Sequence, residues 1–136
     1  MNGASWSASS VKNGWLILMF ALVLGFSASA QTLPDVKIEN QEGKVISTKS
    51  LADGTPMIIS FWSTTCKPCI QELNAINDNL YEWVEEVDMK VVAVSVDDAR
   101  TVSRARAMTK GQGWDDYVCL YDKNQDFKRA MNVSLT

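Results

Sequence analysis

The sequence contains no histidine and only three cysteines, so it has few of the side chains that usually bind transition metals. A structural zinc site takes four Cys or His ligands. The thiols are Cys66, Cys69 and Cys119, and the last stands far along the chain from the other two. Copper(I) held by two thiolates remains the one metal alternative. We therefore expect no metal site and no other cofactor.

A surplus of basic charge is also missing. Lys and Arg number 13 against 16 Asp and Glu, which gives a formal net charge of −3. Nucleic-acid binding depends on a concentrated basic face, so we expect none here. The cluster of Arg100, Arg104 and Arg106 is explained by a solvated helix face. With 136 residues, of which 46% are hydrophobic and 21% charged, the chain has the composition of one globular domain.

Charge is scarcest at the N-terminus, where Lys12 is the only charged residue before Asp35. The apolar run Trp15–Phe26 follows, and it is shorter than the roughly 20 residues that a membrane-spanning helix needs. Its length and position are typical of a signal peptide, and small residues at 28–30 suit a cleavage site. We predict export to the periplasm or cell envelope, with cleavage after Ala30. An uncleaved anchor is the alternative, and only then would the chain touch a membrane.

The remaining chain, residues 31–136, is predicted to form one domain of alternating strands and helices. Met57–Trp62 and Val91–Val96 have the continuous apolar pattern of strands buried on both faces. Apolar residues recur every three or four positions from Ile70 to Val87, which predicts an amphipathic helix. The other predicted elements are a hairpin at 36–47, a helix over 99–110 closed by Gly111, a strand at 117–121 and a short helix at 125–132. Such alternation favours an α/β fold with a parallel-rich sheet.

Two cysteines form the motif Cys66-Lys67-Pro68-Cys69, where the strand Met57–Trp62 gives way to the helix. A helix start presents free N–H groups and the positive end of the dipole, which stabilise a thiolate. Cys66 is therefore predicted to be the more acidic thiol and the attacking nucleophile. Cys69, one turn later, can close a disulfide with it and resolve a mixed disulfide. A purely structural disulfide is the alternative, although so small a loop stabilises little.

The segment "FWSTTCKPCIQE" resembles the active-site segment of the thioredoxin superfamily, and more narrowly that of the exported TlpA/ResA-like thiol–disulfide oxidoreductases. The likeness rests on Trp62, the C-x-P-C pair and Glu72. It continues through "VVAVSVDD" and "YVCLYDKNQDFKRAMNVSLT", so it covers nearly all of residues 31–136. The resemblance implies a thioredoxin-like fold, in which helices flank a central mixed sheet.

The resemblance also implies roles for the site residues. Cys66 and Cys69 form the redox-active disulfide as nucleophile and resolving cysteine, and Glu72 lies near them and helps to move their protons. A partly buried carboxylate one turn beyond Cys69 is suited to act as acid or base, and a plain exposed glutamate is the alternative. Trp62 and Pro68 shape the site. The implied partners are protein dithiol or disulfide substrates and a redox partner.

One feature of the family is missing from the sequence. Thioredoxin folds place a cis-proline opposite the two cysteines, followed by a β-hairpin and a last helix. The three prolines are elsewhere, at Pro34, Pro56 and Pro68, and the sequence stops at Thr136, about where that proline should follow. We therefore expect a domain that is incomplete at its C-terminus and leaves one edge of the strand Met57–Trp62 unpaired.

Two other functions stay open. One is a non-catalytic binding module that keeps the fold without turning over a substrate. The other is a peroxiredoxin-type peroxidase, which ranks low because Ile59 and Ser63 replace the Pro and Thr of a P-x-x-x-T-x-x-C pattern ending at Cys66. Cys119 lies on a predicted strand and is expected to be a buried, inert thiol.

Overall fold

The computed structural model describes residues 32–134, and the predicted signal peptide lies outside the described residues. The strands in this range are β1 (Lys37–Asn40), β2 (Val45–Ser47), β3 (Met57–Trp62), β4 (Lys90–Ser95) and β5 (Val118–Tyr121). The α-helices are α1 (Lys67–Glu86), α2 (Val102–Gly111) and α3 (Asp126–Ala130), and a 3-10 helix lies at Thr48–Leu51. None of the helices described is both long and apolar enough to span a membrane.

The strands form one mixed sheet in the order β2-β1-β5-β4-β3. β3, β4 and β5 run parallel, whereas β1 is antiparallel to both β2 and β5. Trp62 at the end of β3 lies opposite Ser95 at the end of β4. Within residues 32–134, β4 is the only strand that pairs with β3. The predicted α/β architecture and the N-terminal hairpin are therefore confirmed.

Each face of the sheet carries its own apolar cluster, because successive side chains of a strand point to opposite faces. On one face, Trp62 and Ala93 pack with Leu73 of α1 and Ala105 of α2. The other cluster contains Phe61, Val92, Val94 and Leu120, which are covered by Leu51 and by Phe127 of α3. As predicted, β4 is buried on both faces, since every residue from Val91 to Ser95 is at most 1% exposed.

The predicted start of α2 was wrong, whereas its end agrees with the prediction to within one residue. The helix begins at Val102 because the Asp98 carboxylate accepts the amide of Arg100 at 2.9 Å and holds a turn there instead. At the other end Gly111 is the last helical residue. The left-handed backbone that follows belongs to Gly113, whose φ is 71°.

Candidate functional site

The two cysteines of the motif lie at the start of α1. Cys66 immediately precedes the helix, and its amide donates to the carbonyl of Ser63 at 3.0 Å. Cys69 lies in the first turn, and the two thiols form a disulfide with their Cα atoms 5.4 Å apart. Both cysteines are partly exposed, while Lys67 and Pro68 between them are exposed. The disulfide is therefore open to a second protein.

The start of α1 is suited to hold a negative charge. No side chain caps the helix, and its first turn contains no acidic residue. Pro68 lacks an N–H group and costs nothing at this position. The remaining amides of the first turn and the helix dipole favour an anion at this end. When the pair is reduced, a thiolate on Cys66 receives this stabilisation.

Trp62 ends β3 and is fully buried in the apolar cluster against which Cys69 packs. Its ring meets that of Trp114 edge to face, with the centroids 5.1 Å apart. The indole N–H of Trp114 donates to Oδ1 of Asn74 at 2.8 Å. The indole N–H of Trp62 has no hydrogen-bond partner among the described residues. Together the two rings support the side of α1 that carries Cys69.

Glu72 does not lie in the partly buried position that the sequence analysis considered. It is exposed on α1, whereas its neighbour Leu73 is fully buried. Adjacent helical residues differ by about 100° around the axis, so the turn that buries Leu73 directs Glu72 toward solvent. Glu72 keeps its position one turn beyond Cys69, and its carboxylate is in contact with water.

Asp97, for which the sequence predicted no role, holds the loop that precedes Cys66. This carboxylate lies just past the end of β4 and is only 6% exposed. Its Oδ2 accepts the amide of Thr64 at 3.0 Å, and its Oδ1 accepts the Thr64 hydroxyl at 2.7 Å. The Ser95 hydroxyl donates to Oδ2 as well, at 2.8 Å.

A sequence signal for this contact was available. Thr64 stands two residues, and Asp97 one residue, beyond the end of a predicted strand, and the two strands are neighbours in the sheet. The carboxyl ends of adjacent parallel strands meet at one edge of a sheet, which is where ligand and catalytic sites of α/β folds form. Polar residues after two such strands are therefore expected to meet.

Cys119 lies on β5, away from the start of α1, and is 9% exposed. Its thiol donates weakly to the carbonyl of Trp114, at 3.9 Å. Burial, together with the negative charge of Asp115, raises the pKa of Cys119 to about 11. The thiol is therefore protonated at neutral pH, as expected of a buried, unreactive cysteine. Within residues 32–134 there is also no group of three or more His, Cys, Asp or Glu side chains that could hold a metal ion.

The sheet, its helices and the cysteine pair define a thioredoxin-like domain with a C-x-x-C disulfide at the start of α1. Comparison with known proteins gives the family: the AhpC/TSA family model matches residues 30–136, and the chain belongs to that family. A solution structure of a thioredoxin-like protein from Porphyromonas gingivalis is 46% identical, with a TM-score of 0.68. That match covers 76% of this chain and 68% of the other. The predicted thioredoxin-like fold is thus confirmed.

Two further comparisons concern a curated relative and a solved structure. Thiol-disulfide oxidoreductase ResA of Bacillus thuringiensis is 32% identical over 85 residues, which is 58% of this chain and 48% of ResA. The chain thus spans about half the length of this curated relative. A peroxiredoxin Q mutant from Xanthomonas campestris is 20% identical with a TM-score of 0.59, covering 72% of this chain and 59% of that one. At this identity the likeness concerns the fold alone.

Proposed function

We propose that this protein is a thiol–disulfide oxidoreductase that exchanges or reduces disulfides of protein substrates through Cys66 and Cys69. The observation that carries the proposal is the accessible disulfide at the uncapped start of α1, directly after a buried strand. The similarity to a relative named thiol-disulfide oxidoreductase supports it.

In the proposed reaction the reduced pair gives two electrons to a substrate disulfide. The Cys66 thiolate attacks one substrate sulfur, forms a mixed disulfide and releases the other substrate sulfur as a thiolate, which takes up a proton. The Cys69 thiol then loses its proton and attacks Cys66 Sγ. This step releases the second substrate thiolate and closes the Cys66–Cys69 disulfide, the state seen here. A dithiol partner returns the pair to its reduced form by the same exchange.

We assign the proton transfer at Cys69 to Glu72. The two residues are three positions apart on α1, a spacing that places side chains on neighbouring parts of a helix surface. Because Glu72 is exposed, its carboxylate can pass a proton between Cys69 and water. We expect Glu72→Gln to slow the resolving step several-fold, as followed by stopped-flow decay of a mixed disulfide. Glu82→Gln, an exposed glutamate farther along α1, is the matched control and should decay at the wild-type rate.

We also propose that the protein acts outside the cytoplasm, on exported proteins. The support is the N-terminal pattern of one lysine, a short apolar run and small residues up to Ala30. An oxidising exterior is where accessible cysteine pairs exchange disulfides. Mass spectrometry of the exported protein should find a mature N-terminus at Gln31. Retention of residues 1–30 on the exported protein would contradict the cleavage.

Trapping of mixed disulfides tests the proposed reaction. Cys69→Ala removes the resolving thiol, so substrate proteins should accumulate on Cys66 and run as reducible adducts on gels. Cys66→Ala should trap nothing. Cys119→Ala is the control, because that thiol is buried on β5, which β4 separates from β3 in the sheet, and it should behave as the wild type. The proposal fails if Cys69→Ala captures no partner and the full-length protein reduces no protein disulfide.

Two alternatives are separated by simple assays. A binding module without turnover would bind partners equally well after Cys66→Ala, and it would show no redox cycle.

Membership of the AhpC/TSA family and the likeness to peroxiredoxin Q raise the question of peroxide reduction. Ile59 and Ser63 stand where the peroxidase pattern has Pro and Thr, so we expect the reduced protein to consume hydrogen peroxide no faster than a free dithiol.

A further inference from the structure

We propose that Asp97 is a positioning residue for Cys66, an inference that rests on the proposed function. Its carboxylate holds the loop Ser63–Thr65 at the edge of the sheet, so that Cys66 Sγ stays at the start of α1 when the pair is reduced. Asp97 itself does not touch the reacting sulfur atoms in this role. It acts through Thr64.

Asp97 makes the hydrogen bonds that join this loop to the end of the neighbouring strand β4. Before the loop, the carbonyl of Trp62 accepts the amide of Val96 at 2.9 Å and continues the sheet. Inside the loop, Ser63 and Thr65 bond to each other through their hydroxyls. Among the described residues, side-chain contacts of the loop to another element run through Thr64 to Asp97. The loop therefore depends on this pair for its place.

The anchor restrains the loop in more than one direction. Thr64 offers both its backbone amide and its hydroxyl, and the two bonds end on different oxygens of one carboxylate. The carboxylate is fixed in turn by the Ser95 hydroxyl at 2.8 Å. That hydroxyl also accepts the Asp97 amide at 3.2 Å. Thr64 is thus held in both position and rotation, two residues before the nucleophile.

Position matters here because the favourable effect of a helix start on an anion fades within the first turn. If the loop moves away, Cys66 Sγ leaves the free amides and its thiolate becomes less stable. Burying a carboxylate is costly unless it is hydrogen-bonded. A buried Asp whose hydrogen bonds hold one short loop indicates that the position of this loop, and so of Cys66 at the start of α1, is needed.

Asp122 is a matched comparison within the same sheet. It follows β5 as Asp97 follows β4, and it is 3% exposed. Its carboxylate accepts the amides of Phe127 and Lys128 at the start of α3. Asp122 therefore anchors a helix that does not carry the cysteines. Loss of either acid should destabilise the protein, but only loss of Asp97 should change Cys66.

The test is the pH profile of Cys66 alkylation in the reduced full-length protein, with iodoacetamide and mass spectrometry to assign the modified thiol. We expect Asp97→Ala to move the midpoint up by about 0.5 pH unit, which slows alkylation about threefold below the midpoint. Thr64→Val should shift it in the same direction by less, because the backbone bond remains. Asp97→Asn should stay near wild type, since its amide oxygen still accepts and the hydroxyls can rotate.

Asp122→Ala is the stability control, and it should lower the unfolding temperature without moving the profile. The inference is overturned if Asp97→Ala and Thr64→Val both keep the wild-type profile. It is also overturned if Asp97→Asn and Asp97→Ala both lower the midpoint, because loss of the nearby negative charge, and not of position, would then be at work. If Asp97→Ala does not fold, Thr64→Val decides alone. The assay uses no substrate, so its outcome is independent of whether mixed disulfides are trapped.

Discussion

Two buried tryptophans support the site, and they differ in how their N–H groups are satisfied. Trp62 and Trp114 are at most 1% exposed and touch edge to face. Trp114 donates to Asn74 of α1, whereas the N–H of Trp62 has no partner within residues 32–134. An unpaired buried donor has lost its bond to water without gaining another. The buried N–H group of Trp62 therefore lowers the stability of the fold, whereas the hydrogen bond of Trp114 raises it.

Replacement of each tryptophan by phenylalanine measures that difference. Both changes reduce the ring by a similar amount. Only Trp114→Phe removes a hydrogen bond that is present in the structure, and it leaves Asn74 without that donor. We expect Trp114→Phe to lower the free energy of unfolding by about 1 kcal/mol more than Trp62→Phe does. Urea unfolding of the oxidised proteins measures both values. Equal costs would show that the N–H of Trp62 is bonded in solution.

Cys119 makes the stability sensitive to alkaline pH. Burial first, and then the charge of Asp115, raises the pKa of its thiol from 9.0 to about 11. The folded protein therefore keeps a proton that the unfolded chain releases, so this contribution to stability is complete below pH 9 and is lost as the pH rises toward 11. The slope is at most one proton, or about 1.4 kcal/mol per pH unit.

We expect Cys119→Ala to flatten the fall in stability between about pH 9 and 11. Burial is the main cause of the raised pKa of Tyr117 and is present in both proteins, whereas the smaller part that comes from the charge of Cys119 disappears with the substitution. Urea unfolding at a series of pH values gives the two slopes. Their difference is the quantity of interest, because the substitution also lowers stability at every pH by removing a buried side chain. Parallel curves would contradict the prediction.

At the scale of elements, Arg106 joins the N-terminal hairpin to α2. Its guanidinium donates to the carbonyls of Asn40 at 2.6 Å and Gln41 at 2.8 Å. It also pairs with Glu39 at 2.8 Å and lies over the ring of Tyr121, 4.1 Å from the centroid. One planar group thus contacts β1, the turn after it and β5. Only the guanidinium group of arginine combines several N–H donors in one plane with a flat face that can lie over an aromatic ring.

Arg106→Lys tests whether this geometry matters beyond the charge. Lysine keeps the positive charge but cannot serve both carbonyls, the carboxylate and the ring together. We expect a loss of about 1–2 kcal/mol in the free energy of unfolding. Arg104→Lys on the same helix is the control, since Arg104 is exposed and should change stability by less than about 0.5 kcal/mol. A similar effect of both changes would rule out a special role for Arg106.

The elements that the sequence predicted best are those with local signals. β3 and β4 are apolar runs apart from Ser60, Lys90 and Ser95, and the pairing of Cys66 with Cys69 at a helix start follows from their spacing. The start of α2 was missed because the Asp98 side chain competes for the backbone there. The strand ends indicate that polar residues meet at this edge of the sheet, but the particular pairing of Thr64 with Asp97 spans 33 positions and depends on the register of β3 against β4, which no local pattern provides.

Across the described domain, the protection of backbone amides against hydrogen exchange should depend on the position of each strand in the sheet. β4 has partners on both sides, β3 and β5, and it is covered on both faces. β3 has only β4 as its partner within residues 32–134. Alternate amides of β3 therefore point away from any strand described here. The loop that leads to the cysteine pair begins directly after β3, so the pair follows a strand with one edge unpaired within residues 32–134.

Native-state hydrogen exchange tests this order in the 136-residue chain. We expect the amides of β4 to exchange only through global unfolding, with opening free energies equal to that from denaturant. The outward amides of β3 should exchange through local opening, at free energies lower by several kcal/mol. Exchange is measured by NMR at two protein concentrations. Protection of β3 that comes from a second copy of the chain should increase with concentration, whereas protection within one molecule should not. If the outward amides of β3 are as protected as β4 at both concentrations, the edge is paired within one molecule and the expected order is wrong.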